Sequence, residues 1–95
     1  MIKFAAVCGS GLGSSFMVEM NIVAILKELN IADKIEVSHY DLGSTSPDLA
    51  DIWFVAADLA EAAAHLGDVR VLKSIIDKDE LRATVTKAAQ DKGLL

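Results

Sequence analysis

The chain alternates between short apolar runs and longer stretches whose apolar residues recur at helical spacing. Ile2 to Val7 is a brief, mostly apolar run of the kind that forms a buried strand. Residues 9–14 break the pattern and read as a loop. From Ser15 to Asn30 the spacing is helical, with Ser15 as candidate N-cap and Glu19 near the positive end. Phe16, Met20 and Val23 share one face of this helix, and Val18, Ile22, Ile25 and Leu29 share another. So broad an apolar surface predicts extensive burial or a partner near the first turn. Ile35 to His39 alternates as a strand, with Ile35 and Val37 on one face and Glu36 and Ser38 on the other. Residues 41–50 form a connection in which Ser46 and Pro47 can open a single helical turn.

Ile52 to Ala57 is a continuous apolar run, which predicts a central strand. Asp58 and Glu61 have capping-box spacing, which predicts a short helix over 59–66 with Gly67 as its stop. Val69 to Leu72 is a fourth strand. Asp77 and Glu80 repeat the capping-box spacing, and Ile76 is placed to staple onto Leu81. A last helix follows from Lys78 to about Lys92, burying Leu81, Val85 and Ala88 and stopped by Gly93. Strands alternating with helices predict a parallel sheet covered on both faces. The expected fold is α/β: a small flavodoxin-like, open, four-stranded parallel sheet of order 2-1-3-4 with helices on both faces, in a single domain spanning residues 1–95.

Composition narrows the function. At 95 residues a single core removes roughly 60–70% of the unfolded surface from water, and a 53% hydrophobic chain supplies that core without staples. One cysteine cannot form an internal disulfide, so a cytoplasmic location with a free thiol is expected. The net charge of −5 argues against nucleic acid as a partner. No apolar stretch approaches the length of a membrane span, and the start is too short for a secretory signal, so no direct membrane insertion is expected.

The chemistry concentrates where the first strand meets its loop, V-C-G-S-G-L-G-S-S over residues 7–15. In open parallel sheets ligands bind beyond the carboxyl ends of the strands, where the strand order reverses. Here that point lies between the first and third strands, and Cys8 ends the first. The residues after it, Gly9, Ser10, Gly11, Leu12, Gly13, Ser14 and Ser15, lead into a helix N-terminus. The unpaired N–H groups there and the helix dipole favour an anion, and the glycines allow the backbone close to it. Ser10, Ser14 and Ser15 add hydroxyl donors. The same field lowers the pKa of a nearby thiol and raises its nucleophilicity. The combination points to phosphoryl chemistry on Cys8, with backbone donors on the outer oxygens. A small buried hydrophobe is the plainer role for a lone cysteine at a strand end.

Related loops fit less well. A dinucleotide fingerprint needs G-x-G-x-x-G, and here the third glycine falls one residue early. A P-loop needs a lysine that residues 9–15 lack. Small cysteine phosphatases carry C-x5-R-[S/T], yet position 14 is serine. Without that bidentate cation, holding a phosphoryl group is favoured over hydrolysing one. A low-molecular-weight phosphatase or arsenate-reductase-like enzyme stays open as the alternative, and so does a non-catalytic anion-binding module.

The stretch A-V-C-G-S-G-L-G-S-S-F-M-V-E-M, residues 6–20, resembles the IIB component of the phosphoenolpyruvate-dependent sugar phosphotransferase system, and most of all its ascorbate-type branch. A-D-I-W-F-V-A-A, residues 50–57, is a weaker match, and the element order agrees along the chain. The resemblance implies a phosphotransferase without cofactor. Cys8 would accept a phosphoryl group from the phosphohistidine of a IIA protein. It would donate it to a sugar bound in the IIC membrane transporter, with L-ascorbate the best match and galactitol another. Residues 9–15 would be the phosphate loop. Leu12, Phe16 and Met17 would border it as an apolar docking rim, with Phe16 alternatively a core residue. His39, Tyr40 and Asp41 fall at the same end of the sheet and read as a solvated loop edge rather than as part of the site. Glu19, Lys27 and Glu28 read as a solvated helix edge. Trp53 reads as core and His65 as a surface residue. Two distant histidines and one cysteine give no metal-ligand spacing.

Overall fold

The computed structural model describes residues 1–8 and 12–95, with the backbone alone described at residues 8 and 12–14. Strand β1 (Ile2–Cys8) leads to helix α1 (Leu12–Glu28), followed by β2 (Ile35–Asp41), β3 (Ile52–Ala56), β4 (Val69–Leu72) and α2 (Lys78–Asp91). The strands form one sheet of order β2-β1-β3-β4, and every neighbouring pair is parallel. The predicted α/β class and strand order both hold.

The central position of β1 and β3 explains why Phe4–Val7 and Ile52–Ala56 are apolar without a break: each is covered on both sides. Phe4, Ala6, Ile52 and Phe54 face a core built with Val18, Ile22 and Leu26 of α1 and Leu81, Val85 and Ala88 of α2. Ala5, Val7, Trp53 and Val55 face the other way, against Ala63 and Leu66. Both α-helices therefore lie on the first face. The second is covered by 3-10 turns at Leu42–Ser44, Pro47–Leu49, Ala57–Leu59 and Ala64–Leu66, with Tyr40, Leu42, Leu49 and Leu59 partly buried against it. Trp53 is fully buried there, with its ring 5.7 Å from that of Tyr40. Its indole Nε1 has no hydrogen-bond partner among the described residues.

Several local expectations are corrected. Helix α1 begins at Leu12, so Ser15 is not its N-cap but a fully buried residue one turn inside. A small side chain at that position lets the helix lie close on the sheet. Residues 59–66 do not form the predicted α-helix. They fold as two 3-10 turns, and the N-cap position of the first is Ala56 rather than Asp58. A crossover that must return from the end of β3 to the start of β4 in the twelve residues 57–68, while sending Ala63 and Leu66 inward, overrides the helix propensity of its alanines. Gly67 ends this segment with a φ of 103°, the conformation that selects glycine. Ile76 is exposed and does not staple, and its neighbour Ile75 packs on the core instead. Asp77 does cap α2, accepting from Glu80 N at 3.0 Å. The Glu80 carboxylate turns away from the cap and accepts from Lys73 N (2.8 Å) and Ser74 N (3.0 Å), which fixes the exit of β4.

Helix α1 ends in a Schellman turn. Asn30 takes the left-handed conformation, Asn30 N donates to Lys27 O, and Ile31 N donates to Leu26 O. At the far edge, Arg70 of β4 donates from Nε and one terminal nitrogen to Asp68 and from the other to Asp91. This fork ties the edge strand to the end of α2. Hydrogen bonding from Arg70, then from Lys87, holds the Asp91 carboxyl below its ordinary value of 3.8. A carboxyl depressed in the folded state stabilises the fold above its unfolded pKa, and that stabilisation is lost as the pH falls through the folded value. Arg70→Met is therefore expected to lower the melting temperature at neutral pH by about 5 °C. The gap between variant and parent should narrow as the pH falls below the ordinary carboxylate range and Asp91 takes up its proton, as thermal melts at neutral and acid pH will read.

Candidate functional site

Strand β1 carries Cys8 to the carboxyl edge of the sheet, and α1 starts four residues later at Leu12. The chain passes from β1 to β2 on one side and on to β3 on the other, so this junction is the topological switch point. Cys8 pairs with Asp41 across the β1–β2 ladder, and Val7 pairs with Val55 on the β3 side. The ends of three strands thus converge on one place. Gly9, Ser10 and Gly11, three of the predicted phosphate-loop residues, lie outside the described residues, as do the side chains of Cys8, Leu12 and Ser14. Ser15 belongs to the second core-facing layer of α1 and is buried.

The electrostatics of the junction come from the backbone. The first turn of α1 holds no acidic residue to offset the positive end of its dipole. Glu19 is the only charged side chain between Cys8 and Leu26. An anion held here would draw on main-chain N–H groups rather than on a lysine or arginine from this stretch.

The surroundings differ from the sequence expectation. Strand β2 runs on to Asp41, so His39, Tyr40 and Asp41 are paired strand residues rather than a loop edge. The ladder with β1 is unbroken from Ile2–Ile35 to Cys8–Asp41, which carries the strand through these three residues. His39 Nδ1 donates to Glu19 Oε1 at 3.1 Å, joining β2 to α1, and Glu19 is therefore not a free solvated edge. Phe16 meets His39 edge-on, with ring centroids 5.5 Å apart. The missed signal was the period of two: counting on from Ile35 and Val37 places His39 on the face that α1 covers. The Asp41 carboxylate accepts from Ser44 N at 2.8 Å and caps the turn that follows β2. Phe16 (48% exposed), Met17 and Met20 are exposed, which answers the alternative of a core Phe16 in the negative. His65 is on the surface and Trp53 is core, as expected.

This is a small flavodoxin-like α/β domain whose first strand–helix junction sits at the switch point of the sheet. A family model for the lactose/cellobiose-specific IIB subunit of the phosphotransferase (PTS) system matches residues 3–92. The chain belongs to that family. A search of curated proteins gave no match. As a IIB component the protein is a phosphotransferase component, taking part in phosphoryl transfer for sugar transport alongside IIA and IIC partners. Among the described residues no helix is long and apolar enough to cross a membrane.

Proposed function

We propose that Cys8 is the phosphoryl carrier of this IIB component. The supporting observation is the junction itself: β1 ends at Cys8 and α1 opens at Leu12 with no acid in its first turn, at the switch point of the sheet. The Cys8 thiolate attacks the phosphorus of a IIA phosphohistidine. The S–P bond forms as the P–N bond breaks, and the leaving imidazole nitrogen takes up a proton. Backbone N–H groups of Gly9, Ser10, Gly11, Leu12, Gly13 and Ser14 hold the three outer oxygens and stabilise the charge in transit, whereas Ser15, buried one turn inside α1, supports the loop rather than the oxygens. A hydroxyl oxygen of the sugar bound in IIC then attacks phosphorus and gives up its proton to solvent, the S–P bond breaks, and the thiolate is restored.

The reading extends to a single IIB domain over residues 1–95, acting in the cytoplasm. Leu12, Phe16 and Met17 serve as the rim that meets the partners. Among the sugars, L-ascorbate is favoured by the likeness of residues 6–20 and 50–57 to the ascorbate-type branch, with galactitol next.

The test is a mass spectrum. Incubation with phosphoenolpyruvate, the general phosphotransferases and candidate IIA proteins is expected to add one phosphoryl group, mapped by peptide fragmentation to Cys8. Phosphate on another residue, or turnover of an aryl phosphate without any IIA, would overturn the assignment. Supplying IIC membranes with ascorbate, galactitol, cellobiose and lactose in turn then identifies the acceptor, and ascorbate is expected to discharge the phosphoprotein.

A further inference from the structure

We propose that the Glu19–His39 hydrogen bond is a positioning clamp for phosphoryl transfer, holding the first turns of α1 against the edge strand so that the helix start stays aimed at the end of β1. The inference rests on the reading of Cys8 as the carrier.

The geometry is specific. His39 is opposite Ala6 in the β1–β2 ladder, two residues before the Cys8–Asp41 pair. Strand spacing and rise therefore place its Cα about 8 Å from that of Cys8. Its Nδ1 reaches Glu19 Oε1 at 3.1 Å with both side chains partly buried, 28% and 19% exposed. A carboxylate only accepts, so Nδ1 carries the hydrogen and the ring orientation is fixed. Phe16 lies one turn before Glu19 on α1 and closes edge-on over the same ring. One imidazole thus engages two successive turns of the helix, just beyond the junction. Apolar packing of Val18, Ile22 and Leu26 seats the rest of α1 on the sheet. Apolar contact is non-directional, however, and permits small slides and tilts. A directed hydrogen bond across the β2 edge resists them at the end where aim matters. Shifts on the order of 1 Å cost large factors in transfer rates.

The clamp is tested on the full chain with His39→Ala and Glu19→Ala, both singly and together, and with His39→Asn, whose amide nitrogen replaces Nδ1. His39→Ala is expected to slow phosphorylation of Cys8 by IIA about tenfold in kcat with KM for IIA unchanged. Iodoacetamide alkylation of Cys8 at neutral pH should slow with it, since a thiolate no longer faced by the helix start is less populated. His39→Asn should restore most of both rates. The double alanine variant should be no slower than the single ones, because one contact is lost either way. Additive slowing, a rise in KM alone, or rates within twofold of the parent would each overturn the clamp. Should His39→Ala melt near the working temperature, Glu19→Gln, which keeps an acceptor for Nδ1–H, carries the test: a tenfold loss there would also overturn it. Failure of the Cys8 reading is seen separately, as parent protein that takes no phosphate on Cys8.

Discussion

Cys8→Ser is expected to reduce phosphoryl acceptance from IIA by at least about a thousandfold while leaving the fold intact. An alcohol is almost wholly protonated at neutral pH, whereas a thiol beside a helix N-terminus is readily ionised. The change replaces one sulfur by oxygen and leaves the ladder partner of position 8, Asp41, untouched. The substitution leaves the main-chain groups of the proposed cradle unchanged, so inorganic phosphate should bind the variant about as well as the parent. Circular dichroism melts, rapid-quench transfer from phospho-IIA and phosphate titration separate these effects. Phosphorylation at the parental rate would remove Cys8 from the mechanism.

Phe54→Ala is expected to be the most damaging change to stability. Phe54 sits in the central strand β3, is 1% exposed, and tilts against Phe4 with centroids 5.3 Å apart. It belongs to the core that both helices share with the sheet. Removing a buried phenyl ring costs about 3–5 kcal/mol in lost transfer energy and cavity formation. Total stability for a domain of this kind is about 5–15 kcal/mol, so the loss is a large share of it. A fall in melting temperature of roughly 15–30 °C follows. Phe54→Leu should cost far less, because most of the volume is kept. Denaturant titrations of the two variants against the parent will decide. Equal losses would mean that the ring, rather than the volume it fills, carries the energy.

The sheet was legible because its central strands are apolar runs and α2 carries a genuine N-cap at Asp77. What escaped was decided by tertiary constraints that one stretch of sequence does not contain. The start of α1 was displaced because serine serves equally as a cap and as a small buried residue, and only packing on the sheet distinguishes the two. The alanine-rich segment 59–66 favours helix in isolation, but the sheet needs a short cover there. Ile75 and Ile76 are chemically alike, and only the path from β4 to α2 selects which one turns inward. The second strand was read as ending at His39 because Tyr40 and Asp41 do not continue an apolar pattern, whereas the ladder with β1 carries it on to Asp41. The cysteine and the glycine–serine stretch after it carry the proposed chemistry in their residue types alone. The histidine and glutamate beside them became a pair only through the fold.

The burial of Trp53 against Tyr40 has a spectroscopic consequence. The chain contains one tryptophan and one tyrosine, and their rings are 5.7 Å apart. Light absorbed by the phenol is passed efficiently to the indole at that separation, so emission from the folded protein comes from a single dry chromophore. Because Tyr40 lies next to His39 in the edge strand while Trp53 is anchored in the centre, peeling of that strand dims the transferred signal before the indole itself is wetted. The molecule therefore contains a native fluorescence gauge of the strand that borders the proposed phosphoryl site.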